Sequence, residues 1–255
     1  VNVLKSERQD AIVAEVSARG AVTVAKVAKA LGISEMTVRR DLDELSAAGR
    51  LMRVRGGAKS LDPLDMPTLR EYTNDEKHLM HARQKASAAL HASKLIRDGE
   101  TIFVGTGTTG EALANQLKDR HLRIITNSLY TFNVIKDAPD VEPVLVGGYF
   151  RSNTGAFVGA IAERMVEVLG IDRAFIGANG ICDGKISTAN SEEGNLQRLV
   201  FERSTHRYVI CDASKVGRRD FFDFYDLSKL EGVICDDELS PRQRDALEKY
   251  TQVLI

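Results

Sequence analysis

From residue 101 onward, short apolar runs alternate with stretches of helical period, and this alternation confines the larger part of the chain to one fold class. Apolar runs fall at 101–104, 122–126, 144–146, 173–176, 208–211, 232–235 and 251–254, and residues 109–117 and 130–136 carry helical spacing. Strand alternating with helix predicts an α/β domain with a mostly parallel sheet covered on both faces. Ligands of such sheets sit beyond the carboxyl ends of the strands, so the loops after these runs are where chemistry is expected. A chain of 255 residues has room for this domain and a second, smaller one.

The smaller domain is legible at the other end. Gly32-Ile33-Ser34-Glu35-Met36-Thr37-Val38-Arg39-Arg40-Asp41-Leu42 reads as a turn followed by a helix with Ser34 as its N-cap. That helix turns Val38, Leu42 and Leu45 to one side and Met36, Arg39, Arg40 and Asp43 to the other. Ahead of it, residues 6–18 carry Ile12, Val13 and Val16 at helical spacing, and residues 24–31 form a short helix with Val27 and Leu31 inward. Helix, short helix, three-residue turn, helix is the helix-turn-helix order. Leu51-Met52-Arg53-Val54-Arg55-Gly56-Gly57-Ala58 then alternates apolar and cationic residues up to paired glycines. It predicts a β-hairpin wing with Arg53 and Arg55 on one face. The candidate contacts to double-stranded operator DNA are Thr23, Ser34, Glu35, Met36, Thr37, Arg39, Arg40, Arg53 and Arg55. Arginine is well matched to guanine edges and phosphates.

Charge agrees with this division. Residues 1–60 hold eleven Lys and Arg against seven Asp and Glu, whereas the whole chain carries 35 against 36, which leaves the remainder acidic. A nearly neutral chain that is basic at one end brings that end to a polyanion. One such head makes few base contacts, so useful operator affinity requires at least a homodimer, and a homo-oligomer is expected.

In the larger domain, Gly105-Thr106-Gly107-Thr108-Thr109-Gly110 lies between a strand and a helix, and it suits an anion. Its glycines let backbone N–H groups converge, the threonine hydroxyls add donors, and the following helix N-terminus is partly positive. The string also fits G-x-G-x-x-G, but a dinucleotide fold needs a carboxylate at the end of the second strand, and that strand ends Thr126-Asn127-Ser128. A monophosphate is the better guest, and no cofactor is expected. Asn127 and Ser128 are candidates for sugar hydroxyls, Asn179 ends another strand, and Lys215 follows a further one, where it can balance a phosphate.

The domains are read as 1–60, a winged helix-turn-helix; 61–75, a linker interrupted by Pro63 and Pro67; and 76–255, the sensing domain. Residues 76–96 form a long amphipathic segment that docks through Leu90, Leu95 and Ile96. Cys182, Cys211 and Cys235 lack metal-ligand spacing, and Cys211 and Cys235 are expected as small buried hydrophobes. His78, His81, His91, His121 and His206 form no metal set, and His78 and His81 are expected to be solvent-exposed. No signal peptide or membrane span is visible, so a cytoplasmic protein without a membrane partner is expected. The chain opens on Val1, and a few residues are expected to precede it.

Thr37-Val38-Arg39-Arg40-Asp41-Leu42 and Arg55-Gly56-Gly57-Ala58 resemble the signature of DeoR-type bacterial transcriptional repressors. The resemblance continues through Gly105-Thr106-Gly107-Thr108-Thr109, Thr126-Asn127-Ser128, Gly147-Gly148 and Asp212-Ala213-Ser214-Lys215-Val216-Gly217. Ala156-Phe157-Val158-Gly159 and Lys215-Val216-Gly217-Arg218-Arg219-Asp220-Phe221 are similar to the lactose phosphotransferase system repressors within that family. The resemblance implies a repressor of a sugar-metabolism operon, released by a phosphorylated sugar such as tagatose 6-phosphate. It also implies a sensing domain with the ribose-5-phosphate isomerase fold, in which Ser187, Thr188, Glu192 and Glu193 line the ligand pocket with Thr106, Gly107, Thr108, Thr109, Asn127, Ser128, Asn179 and Lys215. The alternative is an isomerase-like enzyme fused to a DNA-binding domain. Against it, Asn179 stands where the isomerases carry an acid, and Ile186-Ser187-Thr188-Ala189-Asn190-Ser191 replaces their glycine-rich lysine turn. No catalytic residue is assigned.

Overall fold

The computed structural model describes residues 5–19, 21–47, 50–54, 56–59 and 71–255. The chain divides into two units, Val1–Leu69 and Arg70–Ile255.

In the first unit, α1 (Lys5–Arg19), β1 (Ala21–Thr23), α2 (Val24–Leu31), α3 (Glu35–Ala47), β2 (Met52–Val54) and β3 (Gly57–Lys59) follow in order. Helical spacing puts Ile12, Val16, Val27, Val38, Leu42 and Leu45 into one core with Leu51 and Ala58. Thr23 caps α2 by accepting from the Lys26 N–H at 3.3 Å. Gly32 ends that helix at φ 64°, a left-handed turn that favours glycine. The hairpin β2–β3 is the expected wing, and β1 adds a third strand to give the order β1-β3-β2. Gly57 is required by that addition, because a Cβ there would stand 2.0 Å from the Val22 carbonyl oxygen. Asp41 is buried among the apolar residues of α3 and takes a two-pronged bond from Arg8, Nε at 2.6 Å and Nη2 at 3.0 Å. This pair ties α1 to α3.

The second unit runs α4 (Asn74–His78), α5 (Ala82–Ser93), β4 (Thr101–Val104), α6 (Thr108–Gln116), β5 (Leu122–Thr126), α7 (Leu129–Ile135), β6 (Val141–Leu145), β7 (Tyr149–Arg151), β8 (Ala156–Val158), α8 (Ala160–Glu167), β9 (Ile171–Ile176), β10 (Gly180–Cys182), β11 (Lys185–Thr188), α9 (Ser191–Arg203), β12 (Ser204–Ile210), β13 (Phe222–Asp226), β14 (Gly232–Ile234), α10 (Pro241–Glu248) and β15 (Gln252–Leu254). Seven strands form an all-parallel sheet in the order β15-β14-β12-β9-β4-β5-β6. Period-two alternation divides their side chains between two cores. Phe103, Ile125, Ala174, Ile176 and Val209 face one side, and Ile102, Val104, Ile124, Phe175 and Ile210 face the other. The chain starts the sheet at β4 and moves outward through β5 and β6, then returns to β9 on the other flank of β4. The switch point therefore lies between β4 and β9, where the ends of these strands open a crevice.

Three differences from the sequence reading stand out. The segment 76–96 is two helices rather than one, broken at residues 79–81 with His81 at φ 53°. Leu90 is 48% exposed, but Ile96 and Leu95 pack as expected, and α5 adds Ala88, Ala89 and Ala92 to the same core. The short sheets β7–β8 and β10-β11-β13 stand apart from the main one. Residues 60–70, including Pro63 and Pro67, lie outside the described residues, and residues 71–75 are described with the second unit. Among the described residues no helix is long and apolar enough to cross a membrane.

Candidate functional site

The first unit offers a helix face. Ser34 accepts from the Thr37 N–H at 3.1 Å, and its hydroxyl also meets that of Thr37 at 2.9 Å, which fixes the entry to α3. Met36 is 74% exposed. Arg39 and Arg40 lie on the surface, each paired within the helix, Arg39 to Glu35 at 3.2 Å and Arg40 to Glu44 at 3.5 Å. Exposed pairs at this spacing are worth only about 0.3–0.5 kcal/mol, so these guanidinium groups can exchange a carboxylate for a phosphate or a base edge at little cost. Arg53 is different. It is half-buried, its Nε meets Asp43 at 2.6 Å, and it donates to the Gly57 carbonyl. Arg53 therefore braces the wing against α3, while its apolar neighbours Met52 and Val54 are the exposed ones. The expected sharing of one face by Arg53 and Arg55 rests partly on a position that the structure does not describe. Arg55 lies outside the described residues. Thr23 is exposed, with its hydroxyl engaged as a cap.

The second unit carries a cleft at the switch point. Its floor is the β4–α6 loop: Thr106, Gly107, Thr108 and Thr109 line it, and Gly107, φ 103°, stands at the N-cap of α6 without a side chain to cap it. The N–H groups of its first turn are thus open to an anion. Gly110 lets this turn press on the loop, since a Cβ there would lie 2.5 Å from the Gly105 carbonyl oxygen. From β9 come Gly177, Ala178 and Asn179, and from the turn after β12 come Cys211, Asp212 and Lys215. Thr188, Glu193 and Gln197 close one wall, with Thr154 from the β7–β8 turn.

Two further lysines enter from α4 and α5. Lys85 is buried, and its ammonium donates to the Lys77 and Met80 carbonyls, the latter at 2.6 Å. Burial pulls its pKa down from 10.5 to about 8. Lys77 donates to Asn179 Oδ1 at 3.3 Å, and burial lowers its pKa as well. Three ammonium groups and a helix N-terminus thus converge on one cleft. The opposite need is also present: Asp212 Oδ2 and Gln197 Oε1 are buried with no hydrogen-bond partner among the described residues. Each orphaned acceptor costs about 1–3 kcal/mol until a donor arrives. The cleft suits a molecule that combines an anionic group with several hydroxyls.

The structure gathers Thr106, Gly107, Thr108, Thr109, Asn179, Thr188, Glu193 and Lys215 around this cleft. It does not bring in four others. Asn127 is buried, with its Nδ2 on the Phe157 carbonyl at 3.0 Å, and Ser128 caps α7 by accepting from the Thr131 N–H at 3.2 Å. Both follow β5, on the flank away from the switch point. The Ser187 hydroxyl donates to the Gly180 carbonyl and accepts from the Asp220 N–H, and Glu192 is exposed at the start of α9. Asn179 uses both ends of its amide, on Lys77 and on Asp220 at 2.9 Å, so it joins two walls. Sequence reasoning missed Asn74, Lys77, Lys85, Thr154, Gln197 and Asp212 as lining residues. A usable signal existed for Lys85, which shares the helical stripe of Ala88, Ala89 and Ala92.

Cys211 and Cys235 are buried, and the adjacent Cys235 together with burial pushes the Cys211 thiol up. His78 is exposed yet meets Glu111 at 2.9 Å, and His91 meets Asp237 at 3.0 Å, carboxylate partners that spacing did not reveal. Among the described residues no group of three or more His, Cys, Asp or Glu is placed to hold a metal ion.

Residues 8–63 match the DeoR-like helix-turn-helix domain, and residues 80–237 match the DeoR C terminal sensor domain. The chain is 34% identical over 252 residues to the lactose phosphotransferase system repressor of Streptococcus mutans, covering 98% of this chain and 99% of that one. It is 37% identical over 256 residues to the protein of the same name from Lactococcus lactis, covering 98% of each. Among solved structures it is similar to ribose 5-phosphate isomerase A from Methanocaldococcus jannaschii, at 19% identity and TM-score 0.39 over 51% of this chain and 52% of that one. With both domains matched in order and relatives aligned along nearly its whole length, the chain belongs to the DeoR family of DNA-binding regulators.

Proposed function

We propose that this protein represses a sugar-metabolism operon and is released from its operator by a phosphorylated sugar, with tagatose 6-phosphate or a related ketohexose phosphate as the signal. One observation carries the sensing half: three ammonium groups and an uncapped helix N-terminus share a cleft with two buried, orphaned acceptors. The phosphate is held by the 106–109 loop with Lys215 and Lys85, and the sugar hydroxyls go to Asp212, Gln197, Thr188 and Glu193. The lactose-type relatives support the choice of sugar and the sign of regulation. On the DNA side, Ser34, Glu35, Met36, Thr37, Arg39 and Arg40 face the operator, and two copies read two half-sites.

The protein acts as a regulator rather than an enzyme. Glu193, the acidic side chain from the 187–193 segment that reaches the cleft, is already engaged by Arg151 at 3.0 Å and by Thr154, an arrangement suited to holding a ligand in place. Calorimetric titration of the full-length chain with ketohexose and pentose phosphates, followed by product analysis, tests this reading. Binding of one sugar phosphate without turnover supports it, and turnover contradicts it.

A further inference from the structure

We infer that residues 71–80 form a polar strap that a ligand in the cleft draws shut, so that occupancy is passed to the point where the sensing domain continues towards the DNA-binding domain. The inference rests on the sugar-phosphate reading above and concerns how that site is regulated.

The strap is fastened to the second unit by polar contacts. At its start, Glu71 receives both prongs of one Arg151 amino group, at 2.7 and 2.9 Å. The Asn74 N–H donates to the Asn153 carbonyl at 2.9 Å, and the Asn74 side chain donates to Glu111 at 2.9 Å. His78 reaches the other oxygen of Glu111, and Lys77 reaches Asn179. Of its large apolar side chains, Leu79 is 90% exposed, and Tyr72 and Met80 are half-buried. A segment held this way, without a buried apolar anchor, opens at a lower free-energy cost than the sheet beneath it.

Three of these fastenings lead to the cleft, while the His78–Glu111 bond lies outside its lining. Arg151 bridges Glu71 to Glu193, and Glu193 lines the cleft. Asn74 and Lys77 are strap residues that themselves line it. A phosphorylated sugar in the cleft therefore contacts the closed strap directly, through the Lys77 ammonium and the Asn74 amide, and loses those contacts when the strap lifts. Binding that favours the closed state shifts the population towards it by the ratio of the two affinities. Residue 71 lies only a short stretch of chain after the helix-turn-helix domain, so closure sets where that stretch begins.

The test uses the full-length chain. Hydrogen–deuterium exchange of the amides in 71–80 is measured alone and with saturating tagatose 6-phosphate, after calorimetry of a ketohexose and pentose phosphate panel has identified which compound binds; if another binds, that compound is the probe. The expected result is slower exchange across 71–80 on binding, with Glu71→Gln exchanging about tenfold faster than wild type in the free protein and binding the sugar phosphate about fivefold more weakly. Arg151→Lys, which keeps the charge but loses the fork, moves both readouts the same way to a smaller extent. Binding with unchanged or faster exchange over 71–80 overturns the strap while leaving the sensor reading intact. No binding by any sugar phosphate overturns both.

Discussion

The two units use their cations in opposite ways. On α3, Arg39 and Arg40 stand in solvent with side chains 56% and 80% exposed, each loosely paired to a glutamate one turn away. In the cleft, Lys85 is buried, and two of its three donors go to the Lys77 and Met80 carbonyl oxygens, which leaves one for a ligand. An exposed arginine costs nothing to keep and gains a little from each phosphate it meets, so affinity is built by number and screened by salt. A buried lysine is costly to keep charged, and it recovers that cost only when an anion arrives. The first arrangement suits a long polyanion of many equivalent charges. The second suits one small anion that enters and leaves.

This contrast can be broken at its strongest point by Arg39→Ala with Arg40→Ala. The pair should weaken operator binding about 100-fold or more while leaving sugar-phosphate affinity unchanged, read by fluorescence anisotropy and calorimetry respectively. Unchanged DNA affinity would move the interface off α3. In the cleft, Lys85→Met should cost about 10- to 100-fold in sugar-phosphate affinity and leave operator binding in place, with circular dichroism melting as the check on folding.

Titration sharpens the contrast further. The Lys85 pKa is held down to about 8 and a bound phosphate raises it, so the charged form that favours binding is fully present at lower pH and is lost as the pH rises through 8. Sugar-phosphate affinity should therefore be flat near pH 7, where the phosphate is already a dianion, and should fall about tenfold by pH 9. Operator affinity should stay level over the same range, because arginine does not titrate there. Calorimetry in buffers of different ionisation enthalpy should show proton uptake on binding near pH 8; its absence would place the phosphate away from Lys85. The smallest effect belongs to Asn127→Ala, which should leave ligand affinity within about twofold and lower stability by roughly 1–2 kcal/mol through loss of its buried bond to the Phe157 carbonyl.

Much of the helix-turn-helix was legible because its information is local: a cap at Ser34, a left-handed turn at Gly32 and a 3.6-residue stripe through Val38, Leu42 and Leu45. That the glycine-threonine loop after β4 opens onto a cleft was legible for the same reason. Strand order is not local. The rule that ligands sit at strand ends applied equally to Asn127 after β5 and Asn179 after β9, and only the return of the chain to the other flank of β4 separates them. Lys77 was missed because it precedes the sheet, on a short helix whose lysine resembles any surface lysine until α4 is seen over the cleft, whereas Lys85 shares the buried stripe of Ala88, Ala89 and Ala92 and could have been found there. Asp41 carried a readable signal that went unused. It lies one turn from Val38 and Leu45 on the apolar side of α3, a position where a carboxylate needs a partner such as Arg8.

On the function proposed, an anionic sugar in the cleft controls the grip of α3 on DNA. Fluorescence anisotropy of the full-length protein on labelled DNA from upstream of its own gene, titrated with tagatose 6-phosphate and with inorganic phosphate, tests it most directly. The sugar phosphate should release the DNA, an effect abolished by Lys215→Ala, and inorganic phosphate, which brings no sugar hydroxyls to Asp212 and Gln197, should do little. A sugar phosphate that binds calorimetrically and leaves operator affinity unchanged would contradict it.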